Sequence, residues 1–230
     1  MPVLVNPSRF ATPGGGGPSY ATALTTFGGL TSRLKLDETS GTTAVDELGV
    51  ASGSYVSSPT LGVTGLVNDG GTAVQTGVGY INAPGGNDPT AKSMIFWWKA
   101  VGGGTPTIWG NTGTTSSNRS DFDIITGSSL NLRVRGTNHT VNVSGGINLL
   151  DAAKHFFIIT SDSTTWEVFV DGASQGTFAQ ATALATAFNG NLNFGRHPSL
   201  GVSPGVHDDI AFSSNKATST DAANLYSAGL

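Results

Sequence analysis

His155-Phe156-Phe157-Ile158-Ile159-Thr160-Ser161-Asp162-Ser163-Thr164-Thr165-Trp166-Glu167-Val168-Phe169-Val170-Asp171-Gly172 reads as two strands around a polar turn. Both apolar runs are β-branched and aromatic, and Ser161–Thr164 supplies the residue types that close a hairpin. Working outward, similar runs recur at short intervals. Arg33–Asp37, Thr72–Thr76, Ser93–Ala100, Thr107–Trp109, Asp121–Thr126, Leu130–Arg135, Thr140–Val143, Asn191–Gly195 and His207–Phe212 are each bounded by Gly, Ser or Asn. About a dozen strands with no helical periodicity between them predict an all-β sandwich. Two segments read as helical. Tyr20–Leu30 holds a turn or two before Gly28-Gly29, and Ser219–Ser227 has Ser219 or Thr220 as N-cap and Asp221 in its first turn.

Composition agrees. Among 230 residues, 33 are glycine and only 11% are charged, against roughly 25% in an ordinary domain. The 37% hydrophobic content, with 11 Phe and 4 Trp, suffices for a core. A net charge of −4 offers no basic footprint, so nucleic acid is not an expected partner. No cysteine is present, which excludes disulfides, cysteine-ligated zinc and thiol catalysis. No stretch approaches the 18 or so apolar residues of a membrane helix, and Met1–Phe10 lacks the features of a signal peptide.

Residues 1–30 read as an arm and linker, hinged at Pro13-Gly14-Gly15-Gly16-Gly17-Pro18, and 31–230 as the sandwich. Val3, Leu4, Val5 and Phe10 would be out of place in a solvated tail and are candidate docking residues for another chain.

Three further stretches carry a family likeness. Arg33-Leu34-Lys35-Leu36-Asp37-Glu38-Thr39-Ser40-Gly41-Thr42-Thr43-Ala44-Val45-Asp46 resembles an opening strand and turn. The 155–172 hairpin ends on Val-Asp-Gly. Leu192–Arg196, His207–Phe212 and Asp221–Tyr226 are similar to a closing signature. Together they resemble the laminin-G-like members of the concanavalin A-like lectin and glucanase superfamily. The resemblance implies a two-sheet antiparallel jelly roll. The arm with Tyr20–Leu24 is also similar to the lead-in of tailed-phage structural proteins that carry this domain.

Chemistry was sought within that frame. Asp121 and Asp123 share a strand face, as a glycosidase pair would, but the family's pattern uses Glu at the outer positions and Thr126 stands where the last acid belongs. Catalysis is therefore not expected. Asp208 or Asp209 is the first ligand to suspect for calcium, with Asp37, Asp46 and Asp171 able to converge near it; the preferred reading, which the resemblance implies, has one of the pair bonding turn amides and stitching the first and last strands. His139, His155, His197 and His207 lack ligand spacing and are assigned no metal. Tyr80 and Trp109, beside glycines, are candidate sugar-stacking residues.

The leading expectation is a non-enzymatic virion protein. It would decorate the capsid exterior after synthesis in the host cytoplasm, docked as a homotrimer on the major capsid protein through its arm. The alternative is a carbohydrate-binding module or adhesin for a surface glycan.

Overall fold

The fold is known from a computed structural model that describes residues 18–84, 89–111, 119–188, 191–197 and 201–230. Val3, Leu4, Val5 and Phe10 lie outside the described residues. Two antiparallel sheets face each other. Sheet A runs β14 (Ala173–Ala179), β13 (Thr165–Val170), β12 (Lys154–Ser161), β7 (Ser93–Ala100), β18 (Gly205–Ser213), β5 (Thr72–Thr76) and β4 (Thr60–Thr64). β1 (Leu30–Leu34) joins the same edge of β18 beyond β5. Sheet B runs β11 (Thr137–Asn142), β10 (Ser129–Val134), β9 (Asp121–Thr126), β8 (Thr107–Asn111), β15 (Leu192–Phe194), β6 (Tyr80–Ala83), β3 (Gly53–Val56) and β2 (Thr43–Ala44). The chain is thus an all-β, two-sheet antiparallel sandwich of jelly-roll type.

The opening hairpin forms as read. Ser161 pairs with Trp166 across it, and Asp162 Oδ1 accepts from the Thr164 and Thr165 amides at 3.1 and 2.8 Å. Val-Asp-Gly then makes a two-residue connection to β14, with Val170 opposite Ala173. Asp171 (φ 50°) and Gly172 (φ 79°) are both left-handed, as a type I′ turn requires.

Alternation sorts the strand side chains. Phe96, Trp98, Phe157, Ile159, Val168 and Phe212 point between the sheets and meet Phe122, Leu132, Leu192 and Phe194 of sheet B. Trp97, Ile95, Phe156, Ile158 and Phe169 point the other way and would be a large exposed apolar face. Helices α1 (Tyr20–Phe27) and α3 (Ser219–Gly229) cover it, burying Tyr20, Leu24, Ala222 and Leu225. Residues 20–27, expected within the arm and linker, therefore pack on the sandwich. Fully burying one such large apolar side chain stabilises the fold by about 1.5–3 kcal/mol. Helix α3 starts on a capping box between Thr218 and Asp221, one residue earlier than its sequence suggests.

Two local readings change. The first strand ends at Leu34, because Leu36 adopts φ 65°. A short helix α2 (Leu184–Ala187), with no side-chain cap, seats Leu184 and Ala187 in the core.

Candidate functional site

The outer face of sheet B carries a row of polar side chains in register. Asn138, Arg133, Asp121, Gly110, Asn193, Asn82, Ser54 and Thr43 are successive cross-strand partners from β11 to β2. A shorter parallel row joins Thr140, Asn131, Asp123 and Thr107. These side chains face outward because their chain neighbours are core: Phe122 sits between Asp121 and Asp123, Leu132 between Asn131 and Arg133, Ile81 beside Asn82.

Midway along, the row meets a small hairpin, β16 (Arg196–His197) with β17 (Gly201–Val202). Gly195 makes the turn out of β15 with φ 77°, where a Cβ would lie 2.3 Å from Thr76 Oγ1, so only glycine fits. The turn brings His197 to β9. One ligand atom each of Asp121, Asp123 and His197 lies within 4.8 Å of the others. Asp121 is fully buried. Its Oδ2 pairs with Arg119 Nε and lies 3.7 Å from Arg133 Nη1. Its Oδ1 is buried and takes no hydrogen bond from any described residue. Thr107 Oγ1 donates to Asp123 Oδ1 at 2.5 Å. Burial first, then the neighbouring Asp121, push the Asp123 carboxyl up to about 7. Burial, with Arg119 and Arg133 nearby, holds the His197 imidazole below its usual range. Thr107 and His197 also form the wall of a cleft of about 240 Å³, together with Gly102, Pro106, Gly201 and Ser203.

Further along the face, Arg196 bridges back to Tyr80. Its guanidinium lies 4.7 Å from the ring centroid, and Nη1 donates to the phenol oxygen at 2.8 Å. Asn82 Nδ2 donates to Asn193 Oδ1 at 3.1 Å, which leaves the half-buried Asn82 carbonyl oxygen as an acceptor for the face.

The residues expected from sequence fall differently. Tyr80 is half-buried on this face, with one side of its ring under Arg196. Trp109 is not a stacking residue: it is fully buried, parallel to Phe122 at 6.0 Å and edge-on to Phe188 at 4.8 Å. Its neighbour Gly110 belongs to a central strand rather than a loop.

The five aspartates weighed as calcium ligands are each committed elsewhere, as the preferred structural reading has it for the Asp208–Asp209 pair. Asp209 takes Arg33 Nε at 2.9 Å and Nη2 at 2.5 Å, so a guanidinium stands where a cation would. Asp208 Oδ2 accepts from the amides of Leu66 and Val67 at 2.7 and 3.1 Å. Asp46 caps the amides of Arg33, Leu48 and Ala51. Asp37 binds the Thr72 amide and Lys35, and Asp171 binds His155 and the Phe156 amide. The preferred reading holds, divided between the two: Asp208 binds turn amides and Asp209 stitches β18 to β1. A bulge at Asp208–Asp209, with Asp209 at φ 47°, breaks the strand alternation and lets both do so.

Sequence reasoning weighed Asp121 and Asp123 and set them aside, and dismissed His197 for lack of spacing. The usable signal was Asp-x-Asp between core positions, with Arg119 and Arg133 flanking it.

The sequence matches no family model and no curated protein. The fold is nonetheless shared with solved structures. Trypanosoma rangeli sialidase is 12% identical at TM-score 0.59 over 86% of this chain. The match covers 32% of the sialidase, so this chain spans about a third of that enzyme's length. Domain 4 of AbnA, a GH43 extracellular arabinanase from Geobacillus stearothermophilus solved in complex with arabinotriose, is 15% identical at TM-score 0.56. There the match covers 86% of this chain and 98% of that one. A mutant of HCR D/C VPI 5995 is 14% identical at TM-score 0.61, over 89% of this chain and 53% of that chain. At these identities the likeness concerns the fold.

Proposed function

We propose that this protein is a non-catalytic carbohydrate-binding module whose glycan lies along the outer face of sheet B. The observation that carries the reading is the in-register row across the eight-stranded sheet, to which seven strands contribute a polar side chain and β8 contributes Gly110. Amide, carboxylate and guanidinium groups held on rigid strands can pair with the vicinal hydroxyls of a sugar, and paired, pre-positioned neighbours keep the ordering cost low. Asn193 orients Asn82, and Tyr80 orients Arg196. The cleft is smaller than the roughly 300–1,000 Å³ of a drug-sized pocket, which suits one sugar unit seated at its wall with the rest of a chain on the face. Domain 4 of AbnA, bound to arabinotriose, supports the reading by fold.

Two features argue for binding rather than hydrolysis. Glycosidase carboxyls stand roughly 5–10 Å apart across an accessible bond. Asp121 is wholly buried, and its carboxylate is already paired with Arg119. Docking on a capsid through Val3, Leu4, Val5 and Phe10 takes second place, because no described residue bears on it.

A glycan array followed by calorimetry tests the proposal. Asn82→Ala and Arg196→Ala are each expected to weaken binding of the best ligand by about tenfold, equivalent to 1.4 kcal/mol, with an unchanged melting temperature. Absence of binding to neutral and acidic oligosaccharides alike would overturn it, as would unaltered affinity in both variants.

A further inference from the structure

We infer that Asp121, Asp123 and His197, with the Thr107 hydroxyl beside them, form a site for one first-row transition-metal dication at the wall of the cleft. Two carboxylates from alternate positions of β9 and an imidazole from β16 converge to within 4.8 Å, close enough for small side-chain movements to bring them onto one ion. The donor set is mixed nitrogen and oxygen. It suits zinc or manganese better than calcium or magnesium, whose shells are built from oxygen. Three protein ligands would leave a further coordination position, and the cleft wall formed by Thr107 and His197 supplies the approach to it.

The second observation is the buried Asp121 Oδ1, which has no donor among the described residues. A carboxylate oxygen out of water and without a partner costs on the order of 1–3 kcal/mol or more, so such an atom calls for a counter-group. The side chain that faces it is another carboxyl, Asp123, which can serve only by carrying a proton. A cation between the two satisfies both at once. The surroundings are ordered as metal sites commonly are, with both carboxylates held by an outer partner: Arg119 fixes Asp121 through its other oxygen, and Thr107 fixes Asp123. Arg119 and Arg133 also add positive charge nearby, which limits affinity and favours a site that exchanges its ion.

The inference stands apart from the glycan reading, since the ion is measured without sugar. The full chain is stripped with a chelator and titrated with zinc chloride by calorimetry at pH 7.5. One saturable site is expected, with a rise in melting temperature that a tenfold excess of calcium does not reproduce. Asp123→Asn keeps an acceptor for Thr107 and so the local fold, and it should weaken zinc binding at least tenfold; His197→Gln should do the same. His139→Gln, at a ring stacked on Phe178 away from the cluster, should bind as the parent does. Equal zinc binding in all three variants would overturn the assignment. So would the absence of saturable zinc binding by the parent chain.

Discussion

Replacing Arg33 with methionine lowers the unfolding free energy by about 3–5 kcal/mol, the usual effect of removing one partner of a buried ion pair. Arg33 lies on β1 and Asp209 on β18, and their bidentate pair is shielded from water on both sides. Arg33 Nη1 also reaches Glu47 at 2.8 Å, and its own amide is held by Asp46. Burial already pushes the Asp209 carboxyl up to about 6 against the pull of Arg33. Without the guanidinium, nothing offsets that burial, and the carboxyl must take up a proton or stay charged in a dry site. Urea unfolding of the parent, Arg33→Met and the double variant Arg33→Met with Asp209→Asn decides the matter. Asparagine tolerates the left-handed backbone at this position, so the double variant should regain part of the loss. A single-variant loss below 1 kcal/mol would show that water reaches the pair and that β1 is held by its backbone ladder alone.

The residues that could be read in sequence are those whose signal is local. The 155–172 hairpin, the Val-Asp-Gly turn, the SMIFWWKA strand at 93–100 and the helical character of α3, though not its cap at Thr218, all rest on neighbours within a few positions. Two faces of one apolar strand were legible too, but not that helices α1 and α3 would cover the outer one. Trp109 was misplaced because an adjacent glycine suggests a loop, whereas Gly110 is a paired strand position opposite Asp121 and Asn193. Asp208 and Asp209 looked divergent until the bulge re-aimed them. The Asp121, Asp123 and His197 cluster was hidden for a different reason. It exists only because β8, β9 and β15 are adjacent and because Gly195 turns the chain back over them. No spacing rule expresses that arrangement.

Stability should fall as the pH rises from 6 to 9, and Asp208→Asn should remove the upper part of that fall. Burial pushes the Asp208 carboxyl up to about 8, with Asp209 and Asp69 adding to it and the Leu66 and Val67 amides opposing it. An acid whose folded pKa exceeds its unfolded value of about 3.9 binds its proton more tightly when folded. Its contribution is full below the unfolded value and is lost as pH rises through the folded one. Asp209, raised to about 6, acts with the same sign at lower pH. His155 does too: burial alone would lower it, but Asp171 and Asp151 raise it. His207 opposes them below pH 6.5, since burial pulls it down to about 3 and acid must charge it on unfolding. Asp123, raised to about 7, also acts with the same sign as Asp208 and is spent by that pH, so above pH 7 Asp208 is the carboxyl that sets the slope. Asparagine imitates the protonated carboxyl and still offers an oxygen to the Leu66 and Val67 amides. Urea unfolding at pH 5, 7 and 9 should find parent and variant alike at pH 5, and the variant more stable by about 4 kcal/mol at pH 9, at roughly 1.4 kcal/mol per pH unit up to the folded value. A variant less stable at pH 9 would mean that the two amides, together with Lys154 nearby, hold Asp208 ionised, and that the loop at Leu66 and Val67 depends on its charge.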